Sequence, residues 1–283
     1  MTGGTGYALA ALACYGVGDF IYKRAAACGV TPHHFLMGQA WCFCPAVLLY
    51  AWATGSVTLH LAVLWSGLAG LVIFVGFYYF LRALAAGSVS IVAPIFRLNF
   101  LVTAALAIIV LGEPFKPLLM VALALALAAI WLLLGANETG GRRELGRGAL
   151  VAVLIATLFL GAANFFHTMG LRHGLSPETA LASQAVVFTA LATVFVRVAD
   201  GKIAPPATVW RHAVPAAAVL MAAFLFMLHG LTRGPASVLV PIAQMGFVVA
   251  AVLGVAVLRE PVTARKVAGL AAAIGALGAL AFA

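Results

Sequence analysis

The chain has 283 residues, of which 65% are hydrophobic and only 8% are charged, and its formal net charge is +9. A soluble domain of average composition has roughly 45–50% apolar and about 25% charged residues. So few charged side chains cannot cover a protein of this length in water, which excludes a soluble enzyme or binding domain. The basic residues lie mostly between apolar stretches, so they indicate membrane orientation and lipid contact rather than nucleic-acid binding.

Ten apolar stretches are each long enough to cross a hydrocarbon core, which takes about 20 residues of helix. The N-terminus, MTGGTGYALA, has no basic region and runs straight into the first of these stretches, so we expect no cleavable signal peptide. The predicted fold class is therefore an all-α membrane protein with ten transmembrane helices. The predicted spans are residues 6–27, 33–53, 61–83, 88–111, 115–136, 148–171, 177–197, 211–231, 236–258 and 263–282.

The second half of the chain repeats the first. Residues 84–114 align without a gap on 231–261, at an offset of 147. Further upstream the matches continue at an offset of 145. The polar linker 138–147 then separates a first five-helix repeat, 1–137, from a second, 148–283. The most informative matches pair Gly87, Ser90, Pro94, Glu113, Pro114, Gly16, Phe20, Gly29, Pro32 and Gln39 with Gly234, Ser237, Pro241, Glu260, Pro261, Gly161, Phe165, Gly174, Pro177 and Gln184.

An odd number of spans per repeat means that the second repeat enters the membrane from the opposite side. The two repeats are therefore predicted to be inverted, with a pseudo-two-fold axis in the membrane plane, as in many secondary transporters. Most Lys and Arg residues follow odd-numbered spans, and the positive-inside rule then places both termini outside the cytoplasm.

Two matched prolines interrupt the fourth and ninth spans. Pro94 and Pro241 lack an N–H, so the carbonyls of Ser90 and Ser237 lose their helical donors. Matched helix interruptions in two repeats point to a transport site at the membrane midplane. The alternative is a packing kink in which serine hydroxyls or neighbouring helices satisfy the carbonyls.

Arg97 lies one turn beyond Pro94, deep in its span. A cation there costs at least about 2.5–3.5 kcal/mol, so it should face the protein interior and have a partner. Asp19 in the first span is the expected partner, although Lys23 is also one turn from it. The pair is either a structural lock or a switch that substrate or a proton opens.

The second repeat keeps these positions without their charges, since Asn164 replaces Asp19 and Gln244 replaces Arg97. His167 follows Asn164 by one turn and has either a structural or a titrating role. The predicted substrate-binding residues along a central cavity are Asp19, Gln39, Arg97, Asn99, Asn164, His167, Gln184 and Gln244.

Glu113-Pro114 and Glu260-Pro261 each precede an apolar run, so we predict that the glutamate caps the following helix. The cysteines all fall in the first 44 residues. A metal site could combine Cys42 and Cys44 with His33 and His34. Adjacent histidines and a C-x-C pair do not converge on one helix face, so packing thiols are favoured and no metal site or cofactor is predicted.

The sequence resembles the EamA-type members of the drug/metabolite transporter superfamily over nearly its whole length. The resemblance rests on the two repeats, on Asp19-Phe20-Ile21-Tyr22-Lys23 in the first span, and on Arg259-Glu260-Pro261-Val262-Thr263 before the last. It implies a ten-helix inner-membrane exporter or exchanger of small metabolites, working by alternating access. It also implies cytoplasmic termini, whereas the distribution of Lys and Arg predicts termini outside the cytoplasm. Asp19 and Arg97 depart from the family pattern.

The leading hypothesis is a secondary transporter of a small polar or amphipathic metabolite, with or without proton coupling. An alternative is a flippase for a lipid-linked head group. An intramembrane enzyme or a non-transporting scaffold is disfavoured because the chain has no HExxH or GxSxG motif and carries matched helix breaks. Substrate identity, direction, coupling ion and oligomeric state do not follow from the sequence.

Overall fold

The structure is a computed structural model, and its described residues contain helices and no β-strand. It describes residues 3–58, 60–86, 92, 95–134, 146–201, 203–258 and 263–282. The helices are α1 Gly3–Ala27, α2 Pro32–Ala53, α3 Val63–Ala86, α4 Asn99–Ile109, α5 Pro117–Leu134, α6 Arg147–Arg172, α7 Pro177–Asp200, α8 Ala207–Leu231, α9 Ala236–Gln244, α10 Phe247–Leu258 and α11 Ala264–Phe282. The predicted linker 138–147 lies almost wholly outside these residues.

Several of these helices are long and apolar enough to cross a membrane. Among the described residues they are α2, α3, α6, α7, α8, α11, and α9 with α10 taken as one crossing. Large apolar side chains such as Trp131 (70% exposed) and Ile274 (68% exposed) cover their outer faces, as expected where lipid is the solvent. The all-helical membrane fold is confirmed. The count of ten crossings stays a prediction, because α1 is not among these helices and α4 and α5 are shorter.

The repeats share their helix ends as well as their helices. Gly29 after α1 and Gly174 after α6 both have positive φ angles, of 73° and 86°. Each lies within a Schellman turn, in which the next residue's N–H donates to the carbonyl of Ala25 or Gly170. Pro32 and Pro177 then occupy the first turns of α2 and α7, where a missing N–H has no cost. The same local sequence features therefore form the same turn in both repeats.

Reciprocal contacts relate the two repeats by a pseudo-two-fold axis. α1 packs on α8 and α10, and the equivalent α6 packs on α3 and α4, while α2 packs on α7 and α5 on α11. Gly16 of α1 meets Val249 and the Gly246 carbonyl, and Gly161 of α6 meets Val102 and the Asn99 carbonyl. When a helix of the first repeat contacts a helix of the second, the two matching helices also contact each other, and this is the pattern that a two-fold axis produces.

The ninth span is broken, but one turn beyond the predicted position. Pro241 lies inside α9, and the helix continues to Gln244 before a turn at Met245. There the Met245 N–H bonds to the Ile242 carbonyl at 3.1 Å, three residues back, which is the tighter 3₁₀ pattern. The equivalent residue Leu98 makes the same bond to Ile95 at 3.0 Å, just before α4. Ser90 and Pro94, the predicted break in the fourth span, lie outside the described residues.

Candidate functional site

Asp19 belongs to the inward face of α1. It continues a stripe at helical spacing with Ala8, Leu12, Tyr15 and Tyr22, and the first two of these are 0% and 7% exposed. An aspartate on this face is removed from lipid and must find a partner within the protein.

Arg97 supplies that partner, as the sequence predicts. Its guanidinium donates to the Asp19 carboxylate, which joins α1 to the turn before α4. The side chains of Arg97 and Asp19 are 20% and 24% exposed, so both charges are mostly, but not wholly, enclosed. Removing one member of an enclosed ion pair strands the other charge, which costs far more than the pair contributes. The side chain of Lys23, the alternative partner, lies outside the described part of the structure.

The second repeat has weaker polar contacts at the matching positions. Asn164 donates to the Thr103 hydroxyl at 3.4 Å and to the Leu160 carbonyl at 3.5 Å, both near the limit for a hydrogen bond. Gln244, the last residue of α9, is partly exposed. The ion pair of the first repeat is therefore replaced by neutral groups that the protein holds less tightly.

A pair of matched hydrogen bonds connects the first two helices of each repeat. The Tyr22 hydroxyl donates to Gln39 Oε1 at 2.7 Å, and His167 Nε2 lies 2.7 Å from Gln184 Oε1. The donors and the acceptors are equivalent residues in the two repeats, separated by 17 positions in each case. Tyr22 was missed in the sequence analysis, although its match to His167 at the offset of 145 could have revealed it.

Some buried polar atoms lack a protein partner within the described residues. His167 Nδ1 and Asn99 Oδ1 make no hydrogen bond, although His167 is 2% and Asn99 0% exposed. The Asn99 amide instead donates to the Phe96 carbonyl at 2.9 Å. A buried polar atom of this kind calls for a water or a ligand group. These two atoms are therefore positions where a polar molecule could bind.

Glu113 does not cap the helix that follows it, contrary to the prediction. α5 begins only at Pro117, and Glu113, 7% exposed, reaches across to the second repeat. Its two carboxylate oxygens accept from the backbone N–H groups of Ala236 and Ser237, at 2.9 and 2.8 Å. These are the first free donors of α9, whose positive helix end favours a carboxylate. Glu260 and Pro261 lie outside the described residues.

Arg172 adds a charged contact to this cap, 3.3 Å from Glu113. It also donates to the Leu111 carbonyl at 3.0 Å. The cap therefore links α6, the loop after α4, and the start of the broken ninth span. Ser237, predicted as a helix-break residue, contributes its N–H to this cap, while its carbonyl is the one that Pro241 leaves without a helical donor.

A cavity between α2, α3 and α7 is apolar and separate from the polar groups above. Its volume is about 290 Å³, including space open to the surroundings. Its lining is mainly aromatic and includes His33, Phe74, Phe77, Tyr78, Phe188 and Phe195. Gln39, Asn99, His167 and Gln184 are instead packed within the protein. That the eight polar residues line one central cavity therefore stays a prediction.

Together the fold and these polar groups define a multi-pass helical membrane protein made of two repeats, with an ion pair in the first and a matched side-chain hydrogen bond in each. The profile of the EamA-like transporter family matches residues 2–135 and again 147–282. The chain therefore belongs to the EamA-like transporter family, a family of transporters rather than enzymes.

Structural similarity agrees with this assignment at the level of the fold. A solved structure titled "Crystal structure of protein" superposes with a TM-score of 0.82, covering 99% of this chain and 98% of its own. The two sequences are 17% identical, so the likeness extends to the fold alone. No curated protein matches the sequence at a significant level.

The Tyr22–Gln39 bond gives a first testable prediction. Tyr22→Phe removes the donor and leaves the Gln39 oxygen unpaired, so it should lower the free energy of unfolding by about 0.5–1.5 kcal/mol. In the double variant Tyr22→Phe/Gln39→Leu, both polar groups are gone and part of the loss should be recovered. Thermal unfolding of the detergent-purified variants measures this coupling, and strictly additive effects would contradict it.

Proposed function

We propose that the protein is a secondary transporter that moves a small polar or amphipathic metabolite by alternating access between its two inverted repeats. The Asp19–Arg97 ion pair is the observation that carries the proposal. It joins α1 to the fourth span, next to the turn at Leu98 that is matched at Met245 in the other repeat. In such a pair beside matched helix breaks, a charged group of the substrate can replace one residue as the partner of the other.

The reciprocal packing supports alternating access. Two repeats with one fold can exchange conformations, so that the site opens first to one side of the membrane and then to the other. The cap of Glu113 on α9 and the turn at Met245 lie at the two ends of a short helix, α9. A short helix with a cap and a hinge can move as a unit. We place the protein in the inner (plasma) membrane, with membrane lipids around it.

Arg97 and Asp19 suggest different substrates. Arg97 released from the pair would bind a carboxylate or a phosphate in bidentate geometry, whereas a released Asp19 would bind an amine or a proton. The buried atoms Asn99 Oδ1 and His167 Nδ1 offer one acceptor and one further polar contact for neutral groups. The substrate of this proposal is therefore a small molecule with at least one charged group.

Transport by proteoliposomes tests the function and the role of the pair together. A thermal-shift screen of small carboxylates, phosphates and amines first selects a ligand, since a bound ligand raises apparent stability. Uptake of that ligand is then measured for Asp19→Asn, Arg97→Gln, the double variant, and the control His212→Gln in the second turn of α8. We expect each single variant to lose about tenfold or more in rate, which is ~1.4 kcal/mol in the barrier.

The double variant separates a mechanistic pair from a structural one. With both charges removed, no stranded ion remains, so its stability should return toward that of the wild type. If the pair takes part in transport, uptake by the double variant stays low despite this recovery. Full uptake by the double variant would reduce the pair to a structural lock, and absence of uptake by the wild type for every ligand found would reject the transporter assignment.

A further inference from the structure

A compact group of metal-ligand side chains lies away from the polar groups of the proposed transport site. His33 and His34 in the first turn of α2 meet Asp200, the last residue of α7. The Nε2 atoms of the two histidines lie 3.0 and 3.1 Å from Asp200 Oδ2. One ligand atom from each of the three residues lies within 4.8 Å of the others. The sequence alone suggested the two histidines only in combination with Cys42 and Cys44, because Asp200 is 166 or more positions away from them.

From this geometry we infer that His33, His34 and Asp200 form a binding site for a divalent metal ion of the zinc class. Two imidazole nitrogens and a carboxylate oxygen form a ligand set that is typical of zinc sites that keep an open position. Tetrahedral zinc with bonds of about 2.0–2.2 Å separates its ligand atoms by roughly 3.4 Å. The two N···O distances are slightly shorter, so small rotations of the side chains suffice to admit the ion.

The end of α7 favours a cation at this position. The end of α7 carries the negative end, where a carboxylate such as Asp200 is unfavourable without a cation. In the part of the chain that the structure describes, the side chains in contact with Asp200 are His33 and His34. A dication bound to Asp200 would compensate for the unfavourable position of the carboxylate at this helix end.

Thr31 orients one of the ligands. Its hydroxyl lies 2.7 Å from His34 Nδ1, so the other ring nitrogen, Nε2, points toward Asp200. A hydroxyl can donate to Nδ1 when the site is empty and accept from it when Nε2 binds metal. Metal-binding histidines generally have a partner of this kind on the second nitrogen. All three ligands are partly exposed, at 27%, 16% and 30% for His33, His34 and Asp200, so an ion can enter.

The site would connect the two repeats, since α2 belongs to the first and α7 to the second. His33 also lines the aromatic cavity of about 290 Å³. A bound ion would therefore hold one wall of this cavity and the α2–α7 contact in one arrangement. The residue in the second repeat that matches His33 is Glu178, which contacts His229 instead, at 2.9 Å. The proposed metal site is therefore not repeated at these matching positions.

Zinc binding to tag-free, detergent-purified protein tests the inference without any transport measurement. We expect one Zn²⁺ per chain by elemental analysis after gel filtration, and visible absorption of tetrahedral Co²⁺ with nitrogen and oxygen ligands. The double variant His33→Gln/His34→Gln and Asp200→Asn should each bind zinc roughly a hundredfold more weakly or worse. Thr31→Val, which loses the orienting contact, should weaken binding by about ten- to a hundredfold.

Two controls keep the result specific. His212→Gln removes a partly exposed histidine on α8, and Cys28→Ser removes an exposed thiol just after α1, so both should bind zinc as the wild type does. Each variant is used only if its helical circular dichroism and gel-filtration profile match those of the wild type. Undiminished zinc in the histidine and aspartate variants, equal loss in His212→Gln, or a cobalt–thiolate band that Cys28→Ser abolishes would each overturn the inference.

Discussion

Replacement of Gly16 or Gly161 by alanine should lower the stability of the protein by about 1–3 kcal/mol each, the usual cost of forcing extra volume into a packed interior. A Cβ atom at Gly16 would lie 2.4 Å from Val249 Cβ and 2.5 Å from the Gly246 carbonyl oxygen. At Gly161 the equivalent distances are 2.5 Å to Val102 Cβ and 2.6 Å to the Asn99 carbonyl oxygen. Backbone lies on one side of each contact, so the helices themselves would have to separate.

Each substitution has a matched control on its own helix. A Cβ at Gly6 of α1 or at Gly148 of α6 meets no atom within 4 Å. Gly6→Ala and Gly148→Ala should therefore be neutral or stabilise their helices by up to about 1 kcal/mol. Thermal unfolding in detergent measures all four variants. Equal effects of alanine at Gly16 and Gly6, or at Gly161 and Gly148, would show that the close helix crossings do not hold the repeats together.

Replacement of Glu113 by alanine should destabilise the protein by about 2–4 kcal/mol. It leaves the N–H groups of Ala236 and Ser237 without acceptors in a buried position, and each unsatisfied donor costs about 1–3 kcal/mol. Glu113→Gln keeps one acceptor oxygen, so roughly half of the loss should be recovered. The unfolding midpoint in detergent is again the measurement, with protection of the Ala236 and Ser237 amides from hydrogen exchange as a local readout.

Glu178→Gln is the comparison for this substitution. Glu178 is as buried as Glu113, at 7% exposure, but it contacts the His229 side chain rather than backbone donors. His229 is partly exposed, and water can replace the lost partner, so the expected loss is below about 1 kcal/mol. If Glu113→Ala leaves the midpoint unchanged, or if Glu178→Gln costs as much, the carboxylate cap on α9 is not a stabilising contact.

The sequence predicted the Asp19–Arg97 pair because of an energetic constraint rather than a pattern. Two opposite charges deep in apolar spans must each avoid lipid, and each can do so by pairing with the other. Local reasoning failed for Glu113, which was assigned to the following helix because capping usually acts over a few residues. The N–H groups that donate to it lie more than 120 positions away, at a helix start that only the packing of the repeats brings near.

The helix break shows a second limit of local reasoning. Proline removes one donor, and this predicts a break at Pro241, yet α9 continues through it to Gln244. The turn falls at Met245, where Gly246 approaches the backbone of Gly16 on α1. The position of the hinge is therefore set by the helix crossing and not by the proline alone.

What the sequence by itself determined is the membrane setting, the duplication and the matched helix ends, from Gly29 and Pro32 to Gly174 and Pro177. The membrane setting follows from composition and the duplication from spacing. The helix ends follow from backbone preferences that act within a few residues and occur in both repeats. The tertiary structure alone decided which polar groups meet, namely Glu113 with α9, Tyr22 with Gln39, and His33 and His34 with Asp200. The reason is physical: a polar group in an apolar interior bonds to whichever partner the packing places within about 3 Å, however far apart the two are in the chain.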